Sequence, residues 1–345
     1  MSEGSQGLDR VPAEPDASAE SAGSTPSPGE ARDLTSGPEA SAAAASKSGS
    51  DLRLRLLTAA ILVPLVIYFI YLGGLPYLAA VVGIILLGQW EIYGLLRDKG
   101  AHPSVGFGLS AGAALPVVAY LGNEYHATVI LTVTLLAVMV LELRKAQITE
   151  AMASISGTFF GVFYVGWLMS HAIVLRNFEE AVTAREGAAA VAQLGIVPES
   201  GIFVVILTLF VVVMCDAGAY FAGRAYGRRK LAPAISPAKS VEGAVGGILT
   251  GIVAGVVAKL ACDLFWPDAS SFLTLSAVLT FSFVLSVIGI IGDLVESLLK
   301  RDAQVKDAGW ILPGMGGVLD RIDSPLLAIP VMYYLLLTYV FMRAG

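Results

Sequence analysis

"SGIFVVILTLFVVVMCDAGAYFA", residues 200–222, is apolar over most of its length and then admits one acid, Asp216. A run of this length crosses the roughly 30 Å hydrocarbon core of a bilayer as a helix. Similar runs lie at about 56–72, 75–96, 104–122, 127–142, 157–175, 243–264, 272–292 and 325–342, making nine in all. Of the 345 residues 56% are hydrophobic and 14% charged, and the mean hydropathy is +0.74, a balance that excludes an ordinary soluble domain. The expected fold class is all-α, a polytopic integral membrane protein with about nine transmembrane helices.

Residues 1–50 differ in kind. They are rich in Ser, Ala and Pro, contain no aromatic residue and no apolar run fit for a signal-peptide core, and read as a disordered cytosolic tail. The transmembrane domain is expected to fill 51–345. The tail holds eight acids and three bases, so the formal charge of -6 divides into -5 for the tail and -1 for the rest. A membrane part so close to neutral gives no reason to expect a nucleic-acid partner. Cys215 and Cys262 have no disulfide or metal spacing, and His102, His126 and His171 are too scattered for a zinc site or a catalytic triad. His171, inside an apolar run, reads as a hydrogen-bonded packing residue.

Lysine and arginine fall mainly on alternate sides of the runs: Arg53 and Arg55, Arg97 and Lys99, Arg144 and Lys145, Arg224 to Lys239, Lys300 to Arg321. The connections "GGLP", "GNEYH" and "WPDASS" have none, and only 176–199 breaks the pattern, with Arg176 and Arg185 among acids. The positive-inside rule then sets the basic loops in the cytosol. In a bacterium this is the inner membrane, with a polar site facing the cytosol.

Two polar constellations share that side. In "CDAGAYFAGRAYGRRKLAPAISPAKSVEGAVGG", residues 215–247, a continuing helix would put Asp216, Tyr220, Gly223 and Gly227 on one face. "ISPAKSVEG" reads as an extended turn held by Pro237, with Ser240 as N-cap and Glu242 in the first helical turn. Lys239 would stand beside a helix N-terminus, where phosphate is favoured. The simpler reading is that Gly223 and Gly227 only let helices pack closely, and that Arg224 to Lys230 mark an inside boundary. Asp216 resists that reading, because a central carboxylate costs about 2.5–3.5 kcal/mol on insertion scales.

The second constellation runs from "GDLVESLLKRDAQVKD", residues 292–307, into "LPGMGGVLDRIDS". Asp293, Glu296, Ser297 and Lys300 are spaced three, one and three, which suits one helix face. The simpler reading is an interfacial amphipathic turn. Against it, Asp320 and Asp323 follow a loop too glycine-rich to be a normal helix. Carboxylates from two segments suit a hard divalent cation such as Mg²⁺, and Lys300, Arg301, Lys306 and Arg321 around them suit polyphosphate. No Walker A and no G-x-G-x-x-G motif is present, so a nucleotide would be held some other way.

The segment S-L-L-K-R-x4-K-D-x-G-x2-L-P-G-M-G-G-V-L-D-R-I-D, Ser297 to Asp323, closely resembles the signature of the phosphatidate cytidylyltransferases, or CDP-diacylglycerol synthases. The upstream block around Asp216 to Gly243 is also similar to that family, and the resemblance extends over residues 53–343. It implies the reaction CTP + phosphatidate → CDP-diacylglycerol + pyrophosphate in phospholipid biosynthesis, with Mg²⁺ and a monovalent cation such as K⁺ as a second ion. It implies Asp293 and Asp320 as metal carboxylates beside Ser297, with Glu296, Asp323 and Asp216 in support. Lys239, Lys300, Arg301, Lys306 and Arg321, together with Ser240 and Tyr220, would bind CTP phosphates or the lipid headgroup, the acyl chains remaining in lipid. A homodimer is one expectation for the assembly. One position departs: the family commonly has P-G-H-G-G where this chain has Met315. A phosphate monoester is already anionic near neutral pH, so it needs little help from a base at 315.

Three other activities are compatible with a polytopic chain that carries acids. A CTP-dependent polyprenol or phytol kinase would share membrane, nucleotide and metal but is expected to lack the long D-R-x-D signature. A CDP-alcohol phosphotransferase needs aspartates four apart, whereas Asp320 and Asp323 are three apart. An ion-coupled transporter predicts acids near the midplane of broken helices and some repeat symmetry, whereas here the acids cluster towards one face.

Overall fold

The computed structural model describes residue 54 and residues 57–122, 124–145 and 149–344; the tail expected at 1–50 lies outside the described residues. The chain runs through α1 (Leu57–Leu72), α2 (Gly74–Asp98), α3 (Val105–Tyr120), α4 (Glu124–Leu143) and α5 (Ala151–Arg176). Two short surface helices, α6 (Phe178–Glu186) and α7 (Ala188–Leu194), lead to α8 (Pro198–Tyr226). A two-stranded antiparallel hairpin follows, β1 (Lys230–Ala232) with β2 (Ser236–Ser240), then α9 (Val241–Phe265), the single turn α10 (Pro267–Ser270), α11 (Leu275–Asp302) and α12 (Leu319–Ala344).

Every apolar run read from the sequence falls on a helix. Seven helices are long and apolar enough to cross a membrane, α2, α4, α5, α8, α9, α11 and α12, while α1 and α3 are shorter apolar helices. The all-α polytopic reading is borne out at that level. Outward faces stay apolar: Val245, Leu249, Val253, Val257, Leu260 and Leu264 form an exposed strip along α9, which suits lipid rather than water. Inward, α8 and α9 pack with little between them. A Cβ added at Gly243 would stand 2.9 Å from the Ala219 carbonyl oxygen and 3.1 Å from Gly223 Cα. Gly223 is therefore the small residue of a close helix pair, as its simpler reading held.

Cross-links gather the basic loops at one end of the bundle. Lys99 after α2 pairs with Asp302 at the end of α11 (2.5 Å), and Lys145 after α4 donates to the His102 carbonyl (2.8 Å). Arg301 Nε donates to the hairpin carbonyl of Ile235 (3.3 Å), and Thr58 Oγ1 donates to the Pro313 carbonyl (3.0 Å). The exception in the charge pattern has a local cause. Arg176 Nε donates to the Ile70 carbonyl (2.6 Å) and Nη2 reaches that of Tyr71 (3.5 Å), so this cation caps the C-terminal carbonyls of α1 instead of marking a side.

Candidate active site

At the basic end the spanning helices outlast their apolar runs. α11 continues to Asp302, carrying Asp293, Glu296, Ser297 and Lys300 on successive turns of one face. α12 starts at Leu319, so Asp320 and Asp323 sit in its opening turns. The two helices touch at Gly292, where a Cβ would lie 2.6 Å from the Asp323 carbonyl oxygen and 3.2 Å from Ser324 Cα. Only glycine permits that approach, and it sets the acids of α12 against those of α11. Asp293, Glu296 and Asp323 each offer an oxygen within 4.8 Å of the others. Glu296 is buried beside Asp320, with Oε2 2.5 Å from Lys300 Nζ, and among the described residues its Oε1 receives no hydrogen bond from a fixed donor. Ser297 Oγ donates to Asp293 Oδ1 at 3.5 Å. Hard oxygen donors from two helices, one of them buried and open to a further partner, fit a divalent cation of the Mg²⁺ kind.

Asp320 is held differently. Its Oδ1 accepts from Lys300 Nζ (2.7 Å), and its Oδ2 accepts from the backbone amides of Ala308 (3.0 Å) and Gly317 (2.8 Å). The Lys300 ammonium thus bridges Glu296 and Asp320, linking α11 to α12, while Asp320 ties down the intervening loop. That loop turns sharply where Met315 N–H donates to the Leu312 carbonyl (3.0 Å), with Pro313 and Gly314 between them and Gly314 at φ 73°. Proline at the first central position and a positive φ at the second are what a type II turn demands.

A pocket of about 360 Å³ opens beside the acids, between α8, the hairpin, the start of α9 and α11. Asp216, Tyr220, Arg224, Lys239 and Asp293 line it. Lys239 Nζ lies 2.7 Å from Asp293 Oδ2, and Arg224 donates to the Tyr220 hydroxyl (3.3 Å). Local folding explains the hairpin. Ser240 Oγ accepts from Gly243 N (3.1 Å) as the N-cap of α9, and Glu242 accepts from the amides of Arg228 (2.9 Å) and Arg229 (3.1 Å). Lys239 is left at the mouth of that helix, facing the acids.

A family model described as the cytidylyltransferase family matches residues 53–339. The chain belongs to the cytidylyltransferase family. It is 32% identical over 293 residues to a phosphatidate cytidylyltransferase of Synechocystis sp., covering 81% of this chain and 94% of that one. To the phosphatidate cytidylyltransferase of Bacillus subtilis it is 31% identical, covering 83% of this chain and 98% of that one. A chloroplastic phosphatidate cytidylyltransferase 4 of Arabidopsis thaliana is 28% identical over 261 residues, 73% of this chain and 65% of the relative.

In this cytidylyltransferase the structure brings together Asp293, Glu296, Ser297, Lys300, Asp320 and Asp323, with Lys239, Asp216 and Tyr220 around the adjoining pocket. Ser240 lines the same pocket, its hydroxyl engaged as a cap. Arg301 is spent partly on the hairpin, and Lys306 and Arg321 are exposed, with no ion pair among the described residues. Sequence reasoning passed over Glu91, a buried acid of α2 that accepts from Val318 N (2.9 Å) and Leu319 N (2.7 Å). The signal was there: a lone carboxylate inside the apolar run 75–96.

Proposed function

We propose that this protein transfers the cytidylyl group of CTP to phosphatidate, releasing pyrophosphate and forming CDP-diacylglycerol for phospholipid synthesis. The observation that carries the reading is the crossing of α11 and α12 at Gly292, which sets a three-carboxylate cluster beside a pocket bearing Lys239 and Arg224. The family match and the relatives' names agree with it.

In the transfer, a phosphate oxygen of phosphatidate bonds to the α-phosphorus of CTP while the bond from that phosphorus to the bridging oxygen breaks, and the electron pair leaves with pyrophosphate. The attacking oxygen is already anionic, so no side chain has to remove a proton. Lys239 and Arg224 hold phosphate groups at the pocket mouth, and Lys300, Arg301, Lys306 and Arg321 offset charge on the departing pyrophosphate. Asp293, Glu296 and Asp323 would hold Mg²⁺, with Asp320 joining them if Lys300 turns to phosphate. When bound, the ion would offset negative charge on the phosphate groups. K⁺ is the proposed second ion. Met315 follows the turn in the loop, and its backbone amide is what the turn uses.

The proposed topology is nine crossings, with α1 and α3 included, and the basic end in the cytosol. Alternating Lys and Arg along the chain and the cross-links between the basic loops support it. CTP would reach the pocket from the cytosol, and the lipid headgroup from the membrane side. An inner-membrane location in a bacterium and a homodimeric assembly are part of the same proposal.

The test is an assay of the purified protein in detergent with labelled CTP, phosphatidate and Mg²⁺, with dolichol or phytol as the competing acceptor. CDP-diacylglycerol is the expected product, lost on EDTA treatment and restored by Mg²⁺. Phosphate passing to the alcohol instead would replace this reading with a kinase, and untouched CTP would remove it.

A further inference from the structure

The first half of the chain carries none of the signature residues, yet α2 reaches into the site. Glu91 is buried, and each of its carboxylate oxygens accepts one backbone amide, Oε1 from Val318 and Oε2 from Leu319. These are the amides of the residue that precedes α12 and of its first residue, which have no carbonyl partner within that helix. The loop is shaped to receive the acid: a Cβ at Gly309 would stand 2.3 Å from Glu91 Oε1, and one at Gly317 2.6 Å from Oε2. Asp320 grips the same loop from the other side, through Ala308 and Gly317. An acid inside an apolar run is unfavourable for insertion, and here it serves nothing on its own helix.

We propose that Glu91 is a positioning residue, whose two oxygens fix where α12 begins and so where Asp320 and Asp323 stand relative to Asp293 and Glu296. This rests on the cytidylyltransferase reading above. A helix turns about 100° per residue, so an α12 slipped by one residue against its anchor would swing both aspartates away from α11. The amides of Val318 and Leu319 leave no freedom for that while both oxygens are in place. The competing role is a plain helix cap, which would matter for stability and not for the geometry of the acids.

The experiment uses the full chain purified in detergent, as wild type, Glu91→Met and Glu91→Gln. Methionine fills the space and inserts readily but accepts no hydrogen bond; glutamine keeps one accepting oxygen. Three quantities are read: the thermal unfolding midpoint, Mn²⁺ affinity by electron paramagnetic resonance as a stand-in for Mg²⁺, and kcat with KM for CTP. For Glu91→Met the expected result is a nearly unchanged midpoint, Mn²⁺ binding weakened about 10-fold and kcat lowered about 100-fold, the scale of a misplaced reacting group. Glu91→Gln should fall between that variant and wild type on both counts. A well-folded Glu91→Met with wild-type Mn²⁺ affinity and kcat would overturn the proposal. Losses that track a lowered midpoint in both variants would reduce Glu91 to a cap and overturn it equally. Wild-type protein that binds Mn²⁺ but makes no CDP-diacylglycerol would instead remove the reaction, and the Mn²⁺ comparison would still judge Glu91.

Discussion

Near the non-basic end of α9, Lys259 is buried against Asp263, whose Oδ1 also accepts from Ser270 Oγ (2.5 Å). At the basic end, Asp216, Asp293, Glu296, Asp320 and Asp323 share a neighbourhood in which, among the described residues, the ammonium groups making close ion pairs are Lys239 and Lys300. The first cluster closes on itself: one acid, one base and a hydroxyl donor satisfy one another. The second sets five carboxylates against two closely paired ammonium groups, in a region where charge is poorly screened. A balanced cluster in a membrane helix serves packing. An unbalanced one has to take up protons or an added cation, and in the proposal made above the cation is divalent, with polyphosphate held by the surrounding bases.

The sharpest way to break this contrast is to remove charge from the unbalanced cluster. Asp293→Asn and Asp320→Asn are expected to lower CDP-diacylglycerol formation at least about 100-fold while leaving membrane insertion intact, since each change eases burial. Full turnover in both would show that the surplus charge has no catalytic meaning.

A smaller effect is expected at Lys239, which faces both Asp293 and the pocket. Lys239→Met should raise KM for CTP about 10-fold, the scale of one lost charge-assisted contact. If kcat fell and KM did not, Lys239 would belong with the acids and not with substrate binding.

The balanced cluster should respond in the opposite sense. Lys259→Met is expected to keep turnover within about twofold but to lower stability by about 1–2 kcal/mol, since Asp263 loses its ion-pair partner in a partly exposed position. The double change Lys259→Met with Asp263→Leu should recover most of that loss in a thermal unfolding scan. Turnover lost along with Lys259 would erase the distinction between the two ends.

Much of this could be read from residue order. The apolar runs marked every long helix, and the three, one, three spacing put Asp293, Glu296, Ser297 and Lys300 on one face. "SPAKSVEG" discloses the cap at Ser240, whose Oγ accepts from Gly243 N. Other features resisted. Gly292 looks like any glycine in a membrane helix until Asp323 is seen against it. Arg176 looked like a break in the charge alternation and is a cap on α1. Asp320, paired by resemblance with Asp293, holds Lys300 and two loop amides, while Asp323 completes the carboxylate cluster. Glu91 stands far in sequence from the loop it holds.

By itself the sequence determined the membrane class, the helices and the chemical character of the site, because hydropathy, periodicity and residue type act over a few turns of chain. Which carboxylates meet, which lysine pairs with which acid, and that α2 anchors the start of α12 were decided by tertiary structure. Those outcomes depend on where small residues let two backbones touch, a condition met between distant segments and written in neither of them alone.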